Sequence, residues 1–205
     1  MSLLELKTLG FPELSVDGRA GSLTLRKALA LLIFLAEAKG PVARDAAATL
    51  LWPNADTEAA RASLRRLLYR IEVAVGAPII EADRMAMRYH AAVDVRLESE
   101  LFESACDRGD FAAACRIYRG DFLEGFHLDC QEFDDWAFYR REALRGRLIN
   151  ALERLVLGMT ADGAFAAAAV HAARLVGLDP LSEVYARYLI RSLLLSGDRI
   201  GAERQ

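Results

Sequence analysis

Long apolar runs, cysteines and a positive charge excess are all scarce or missing in this chain of 205 residues. No apolar run approaches the roughly 18 residues that a bilayer-spanning helix requires. The first residues, MSLLELKTLGFPEL, lack the basic start and long apolar core of a secretory signal. The three cysteines form an odd set, which is more typical of buried thiols than of a disulfide framework. We therefore expect a soluble cytoplasmic protein with no membrane contact.

Residues that could carry catalysis or bind a metal lack the companions that such chemistry needs. His127-x-x-Cys130 has ligand-like spacing, but the other two cysteines lack the paired spacing of structural zinc sites. The acidic group Glu132, Asp134 and Asp135 is expected to be the solvated start of a helix and not a pair of catalytic carboxylates. The glycines are scattered singly, so no phosphate-binding loop is present. We expect no enzyme activity, no metal and no cofactor.

The net charge of −3 excludes a broadly basic surface that would bind nucleic acid through its overall charge alone. The charge is nevertheless unevenly distributed. Residues up to Arg96 carry 13 Lys+Arg and 11 Asp+Glu, whereas residues from Leu97 onward carry 13 and 18. A nearly neutral N-terminal half can bind DNA only if its arginines are concentrated on one surface.

Short strands followed by three helices are predicted for the first half of the chain. LLELKTL, ELSV and SLTL alternate in polarity, and Asp17-Gly18 and Ala20-Gly21 separate the last two. A first helix begins at Arg26 and stops before Gly40-Pro41, and a second runs from about Ala43 to Trp52. The third runs from Thr57 to Val75, with Asp56 or Thr57 as its cap and Gly76 after its end.

A hairpin follows these helices, because PIIEADRMAMRYHAAVDV has two extended runs around a turn at Asp83-Arg84. The order of elements predicts a winged helix-turn-helix over residues 1–96. The remainder reads as helical, and Gly163 and Gly197, like Ala168 and Ala202, are 34 residues apart. That period is typical of tetratricopeptide helix pairs. We expect an all-α, tetratricopeptide-like domain over residues 97–205 that is truncated at its C-terminal end, and a mainly α fold overall.

The third helix is the candidate for reading DNA. Its apolar positions Leu64, Leu67, Leu68, Ile71 and Val75 share one stripe that must face the core. The opposite arc combines small residues, which allow close approach to the major groove, with arginines that can grip guanine edges or phosphates. Arginine and lysine at the start of the first helix could contact phosphates, and the hairpin tip could enter a neighbouring groove. The predicted DNA-binding residues are Arg26, Lys27, Arg61, Ala62, Ser63, Arg65, Arg66, Tyr69, Arg70, Arg84 and Arg88.

Two alternatives remain open for these features. An arginine-rich outer face is often only a solvated face, and a winged helix can serve as a docking surface in a protein-interaction or scaffold module without direct DNA binding. An aromatic group at the start of a long helix, Phe133, Trp136, Phe138 and Tyr139, is expected to pack in the core, with a partner-binding patch as its alternative.

Two motifs also carry a family resemblance. LLWPNADTEAARASLRRLLYRIEVAVG is similar to the recognition region of bacterial transcriptional activators of the antibiotic-regulator (SARP-like) type. The matching positions are Leu51, Trp52, Pro53, Asp56, Ala60, Arg61, Leu64, Arg65, Leu68, Tyr69 and Ile71. YRGDFLEGFHLDCQEFDDWAFYRREALRGRL resembles the bacterial transcriptional activator domain that follows in those proteins. Its matching positions are Tyr118, Gly120, Phe122, Leu123, Gly125, Phe126, Asp135, Trp136, Arg141 and Glu142.

The resemblance implies an OmpR-like winged helix joined to tetratricopeptide-like helices. It implies that the third helix enters the major groove of double-stranded DNA, and that the second domain supports a homodimer or contacts the transcription machinery, RNA polymerase included. The chain departs from the family at Ala43, where a Ser or Thr helix cap is common. It also departs in the wing, which reads MRYHA where relatives often carry Gly-Tyr-x-Leu.

Overall fold

The computed structural model describes residues 2–20 and 25–205. In chain order the elements are β1 (Ser2–Lys7), β2 (Glu13–Val16), β3 (Arg19–Ala20), α1 (Arg26–Glu37), β4 (Val42–Ala43), α2 (Arg44–Leu51), α3 (Thr57–Val75), β5 (Ile80–Ala82), β6 (Ala86–Tyr89), β7 (Val93–Leu97), α4 (Glu98–Asp107), α5 (Phe111–Ile117), α6 (Gln131–Ala161), α7 (Phe165–Leu178), α8 (Glu183–Ser196) and α9 (Arg199–Glu203). The predicted strand SLTL falls largely on residues 21–24, which lie outside the described residues.

The described residues form two compact units. The first comprises the chain up to Leu101 together with Arg119–Glu142, and the second comprises Phe102–Tyr118 and Ala143–Gln205. Helices α4 and α6 each contribute residues to both units. A division into folding domains between residues 96 and 97 stays a prediction.

Two small sheets organise the first unit. One has the order β3-β2-β1-β7, with antiparallel pairing except where β7 joins β1 in parallel, and the other has the order β4-β6-β5. The second extended run of the predicted hairpin is therefore two strands. β6 pairs with β5 to form the wing, and the chain then turns at His90, whose carbonyl accepts a hydrogen bond from the Val93 amide at 2.9 Å. The turn sends β7 to the other sheet.

The helices of the first unit begin and end close to the predicted positions. The carboxylate of Asp56 accepts a hydrogen bond from the Ala59 amide at 2.8 Å and so caps α3. Gly76, with φ of 76°, ends α3 in the left-handed conformation that glycine adopts without steric cost. At the start of α2, Ala43 offers no side-chain cap, as its methyl group requires.

A segment from the second half of the sequence completes the core of the first unit. The indole of Trp136 packs edge-on against Phe34 of α1, with ring centroids 5.2 Å apart, and also against Phe122 and Phe133. The carboxylate of Glu37, which is 5% exposed, accepts hydrogen bonds from Arg140 Nε at 2.8 Å and from Ser99 Oγ at 2.5 Å. This stretch of chain therefore packs directly on the back of α1.

The expected packing role of the aromatic group is confirmed for one half of it. Phe133 is fully buried and Trp136 is partly buried among other rings. Phe138 and Tyr139 instead face solvent and touch mainly each other, with ring centroids 5.7 Å apart.

The second unit repeats one local structure three times. A glycine with positive φ ends one helix, and the alanine five residues later is buried in the next helix. The glycines are Gly109, Gly163 and Gly197, and the alanines are Ala114, Ala168 and Ala202. These positions give the helix pairs α4–α5, α6–α7 and α8–α9. The repeat expected from the 34-residue spacing is confirmed, and so is the mainly α fold with small sheets at its N-terminal end.

The searched part of the chain, residues 2–20 and 25–205, contains no helix long and apolar enough to cross a membrane. Over the same residues there is no group of three or more His, Cys, Asp or Glu side chains arranged to hold a metal ion. Cys115 and Cys130 are buried, and Cys130 Sγ lies 2.8 Å from the carbonyl oxygen of Leu50. Burial raises the pKa of the Cys115 thiol to about 11.

Replacing Trp136 by alanine should destabilise the first unit by about 3 kcal/mol, because a large ring in contact with three others leaves a cavity. Urea denaturation followed by circular dichroism measures the change in unfolding free energy. Phe138→Ala is the matched control, since Phe138 lies on the same helix and is 51% exposed. Equal losses in the two variants would show that the Trp136 contacts contribute nothing specific.

Candidate nucleic-acid interface

The rotation of α3 about its own axis is fixed by buried apolar side chains. Ala60, Leu64, Leu67 and Ile71 are all buried, at 6% exposure or less. Leu68 and Val75, which were predicted in the same stripe, are only partly buried and lie at its edge. Because the buried positions share one side of the helix, the residues on the other side must face solvent.

The exposed side of α3 presents three arginines around a tyrosine. Arg65, Arg66 and Arg70 are exposed, and Tyr69 is 68% exposed. Within the described residues these arginines make no ion pair, and the one side-chain hydrogen bond among them joins Arg66 to Ser63 Oγ at 3.0 Å. Their guanidinium groups are therefore free to meet an external anion.

Small residues lie at the leading end of the same side. Ala59 is exposed, and Ala62 and Ser63 are partly exposed. A helix surface without large side chains can approach a flat or concave partner closely. The predicted residues of α3 are thus brought together on one face, and Ala59 joins them.

Arg61 differs from the other predicted arginines because it is already paired. Its Nε donates to Asp45 Oδ1 at 2.7 Å and its second nitrogen donates to Oδ2 at 2.6 Å, so the guanidinium meets the carboxylate at two points. The hydrogen bonds from Arg61 lower the pKa of the Asp45 carboxyl, and the same contact raises the pKa of Arg61. Asp45 lies in the first turn of α2, so the pair joins the two helices.

The two predicted cations at the start of α1 are held by neighbouring groups. Lys27 is partly buried, donates to the carbonyl oxygen of Leu51 at 2.5 Å and lies 4.9 Å from the centre of the Trp52 ring. Arg26 is exposed, and its guanidinium lies 5.5 Å from the centre of the Phe126 ring. Lys27 therefore stabilises the end of α2, whereas Arg26 keeps a surface position.

The tip of the wing is closed by Asp83, whose carboxylate accepts hydrogen bonds from the amides of Met85 and Ala86, both at 2.7 Å. These two donors, the Ala86 amide first, lower the pKa of Asp83. Arg44, the first residue of α2, donates its backbone amide to the Met85 carbonyl at 2.9 Å and its guanidinium to the Asp83 carbonyl at 3.2 Å. Arg84 is exposed at this tip.

The predicted wing residue Arg88 sits further from the tip, in β6. It pairs across the hairpin with Glu81, whose carboxylate is 3.0 Å from its Nε. The pair is exposed and therefore weak. Of the two predicted wing arginines, Arg84 is the one at the tip of the turn.

Arg44 and Asp45 were missed by reasoning from the sequence. Arg44 holds the wing tip and Asp45 holds Arg61, so two consecutive residues connect α2 to both parts of the candidate surface. The available signal was a lone charged pair at the start of a helix that is otherwise rich in alanine. Its two partners are distant in sequence, so that signal did not identify them.

Replacing Asp83 by alanine should lower the amide protection of Met85 and Ala86 by about two- to tenfold, because each loses its acceptor. In the unaltered chain the same loss should occur only as the pH falls below the ordinary carboxyl range near 4, since the folded pKa is lowered. Protection factors from NMR hydrogen exchange measure both effects. Asp94→Ala, at an exposed aspartate whose neighbour is Arg96, is the control. Unchanged protection in the Asp83 variant would contradict the assignment.

Comparison with known proteins places this geometry in context. The model of the bacterial transcriptional activator domain matches residues 83–205. A search of the curated proteins finds no match. Among solved structures, Mycobacterium tuberculosis EmbR in complex with a low-affinity phosphopeptide is similar over 100% of this chain, with a TM-score of 0.71 and 22% identity. This chain spans 59% of that one.

The structural likeness extends over both units and therefore includes the winged helix as well as the helical repeats. The family model covers more than half of the chain and begins at the wing tip. The chain belongs to the bacterial transcriptional activator domain family.

Proposed function

We propose that this protein is a sequence-specific regulator that binds double-stranded DNA by placing α3 in the major groove. The observation that carries the proposal is the free arginine face: Arg65, Arg66 and Arg70 are exposed on a helix whose other side is buried. A planar guanidinium can donate two hydrogen bonds to one guanine, which is the commonest specific contact between proteins and DNA.

The shape of α3 supports the same use. The major groove is about 12 Å wide and admits a single helix. The small side chains Ala59, Ala62 and Ser63 let the leading end approach the base edges, and the arginines follow within the next two turns. Tyr69 stands between the arginines and can donate its hydroxyl to a phosphate.

The wing and α1 add contacts outside the major groove. Arg84 at the wing tip is proposed to reach an adjacent groove or its phosphates, and Arg88 lies further back in strand β6. Arg26 is proposed to contact phosphate, whereas the hydrogen bond and ring contact of Lys27 give that residue a supporting part. These contacts position the protein and do not read bases.

The second unit is proposed to supply protein contacts, either with a second copy of the chain or with RNA polymerase. Its helices leave apolar side chains in solvent, among them Leu181 at 92% exposure, Val170 at 68% and Ile200 at 64%. Exposed apolar side chains can contact another protein where they lie together on one surface. The family description favours activation of transcription, which takes place in the cytoplasm, where the bacterial chromosome lies.

The affinity for duplex DNA should fall steeply with salt, because cations that neutralise phosphates release counterions. A binding sequence is first selected from a random duplex pool and then titrated at several salt concentrations. The plot of log affinity against log salt should have a slope of about −3 or steeper, since each phosphate contact contributes about −0.9. Binding that is absent at every salt concentration would contradict the proposal and favour a protein-docking module.

Replacing Arg66 and Arg70 together by alanine should weaken binding to the selected duplex by about 30-fold or more. Each two-point contact between arginine and guanine discriminates by about 1–3 kcal/mol. The matched control is Arg187→Ala with Arg191→Ala, which removes from α8 two exposed arginines that are four residues apart. Both double variants should keep the melting temperature of the unaltered chain. Normal binding by the α3 variant would contradict the placement of this helix in the major groove.

A further inference from the structure

The pairing of Arg61 sets it apart on α3. Four arginines lie on the outer side of this helix, and within the described residues Arg61 is the one whose guanidinium is held by a carboxylate. Arg61 and Arg65 are one turn apart, so both face the space that a DNA backbone would occupy beside the helix. The structure therefore separates one neutralised arginine from three free ones.

Asp45 is placed at the edge of the candidate DNA surface. It belongs to the first turn of α2, and both members of the ion pair are exposed, with 54% of the Arg61 side chain and 59% of the Asp45 side chain accessible. A carboxylate at this position repels any phosphate that approaches Arg61, and it also occupies the donors that would bind that phosphate. Both effects act on every DNA sequence equally.

We propose that Asp45 is an affinity-limiting residue that keeps Arg61 paired and thereby withholds one phosphate contact from every DNA complex, whatever its sequence. Phosphate contacts supply nearly all of the affinity for non-cognate sequences, whereas base contacts add to them only on the cognate site. Withholding one phosphate contact therefore lowers the sequence-independent part of the affinity, while Arg65, Arg66 and Arg70 remain available for base contacts. This inference rests on the proposed DNA-binding function of α3.

The Asp45→Asn variant tests the proposal because it keeps the shape of the side chain and removes its charge. The chain of residues 1–205 is titrated with a mixed-sequence duplex at three salt concentrations. The matched control is Glu13→Gln, which removes the same charge from an exposed ion pair with Lys7, between β1 and β2. A third variant combines Asp45→Asn with Arg61→Ala.

Asp45→Asn should bind the mixed-sequence duplex about five- to tenfold more tightly near 0.1 M salt, and its salt slope should steepen by about 0.9, the value of one phosphate contact. Glu13→Gln should leave both quantities unchanged. Adding Arg61→Ala should return the affinity and the slope to those of the unaltered chain, because the released guanidinium is then gone.

Two results would overturn the proposal. In one, Asp45→Asn behaves as Glu13→Gln does. In the other, the variant that also lacks Arg61 binds as tightly as Asp45→Asn alone, so that the gain comes from the lost negative charge and not from a released arginine. If the unaltered chain binds no duplex at any salt concentration, the proposed DNA-binding function fails as well. The titration of the unaltered chain therefore distinguishes failure of the proposed function from failure of the proposal about Asp45 alone.

Discussion

Burial of the apolar side of α3 controls the candidate surface, because a helix whose one side is fixed in the core has no freedom to rotate. Leu64, Leu67 and Ile71 are almost completely inaccessible, and rotating the backbone that carries the arginines would require removing them from the core. The backbone positions of the arginines are therefore fixed before any partner arrives. Such preorganisation lowers the entropy lost on binding, which otherwise offsets much of the contact energy.

The first turn of α2 transmits this rigidity to the wing. Arg44 binds the wing tip through both its backbone and its side chain, and Asp45 binds Arg61 of α3. An exposed ion pair alone contributes little stability. Its value here is geometric, since α2 separately packs on α3 and its preceding strand β4 pairs with β6 of the wing. The charged contacts complete a frame that the backbone pairing and the buried side chains already define.

Sequence periodicity predicted α3 to the residue, because its apolar stripe, its Asp56 cap and its closing Gly76 are all local signals. The repeat glycines and alanines of the second unit were equally accessible, since one spacing recurs. The contacts between residues distant in sequence could not be predicted from these local signals. The exposed face of α3 looks uniform in sequence, and only the fold brings Asp45 to Arg61 and Leu51 to Lys27. Likewise, β7 was assigned to the hairpin because a strand pattern does not name its neighbour.

The packing of a distant segment on α1 is likewise a contact that only the fold creates, and it affects the whole first unit. Trp136 and Arg140 lie about a hundred residues beyond Phe34 and Glu37, yet they pack on them in one compact unit. A buried carboxylate such as Glu37 needs a charged partner. That partner is Arg140, which lies outside residues 1–96, so the core of the winged helix contains a charged group whose partner comes from beyond those residues. The helices of the candidate DNA surface and the activator-domain segment are therefore parts of one folded unit. A change in that segment can alter the support of α1 without touching the arginine face.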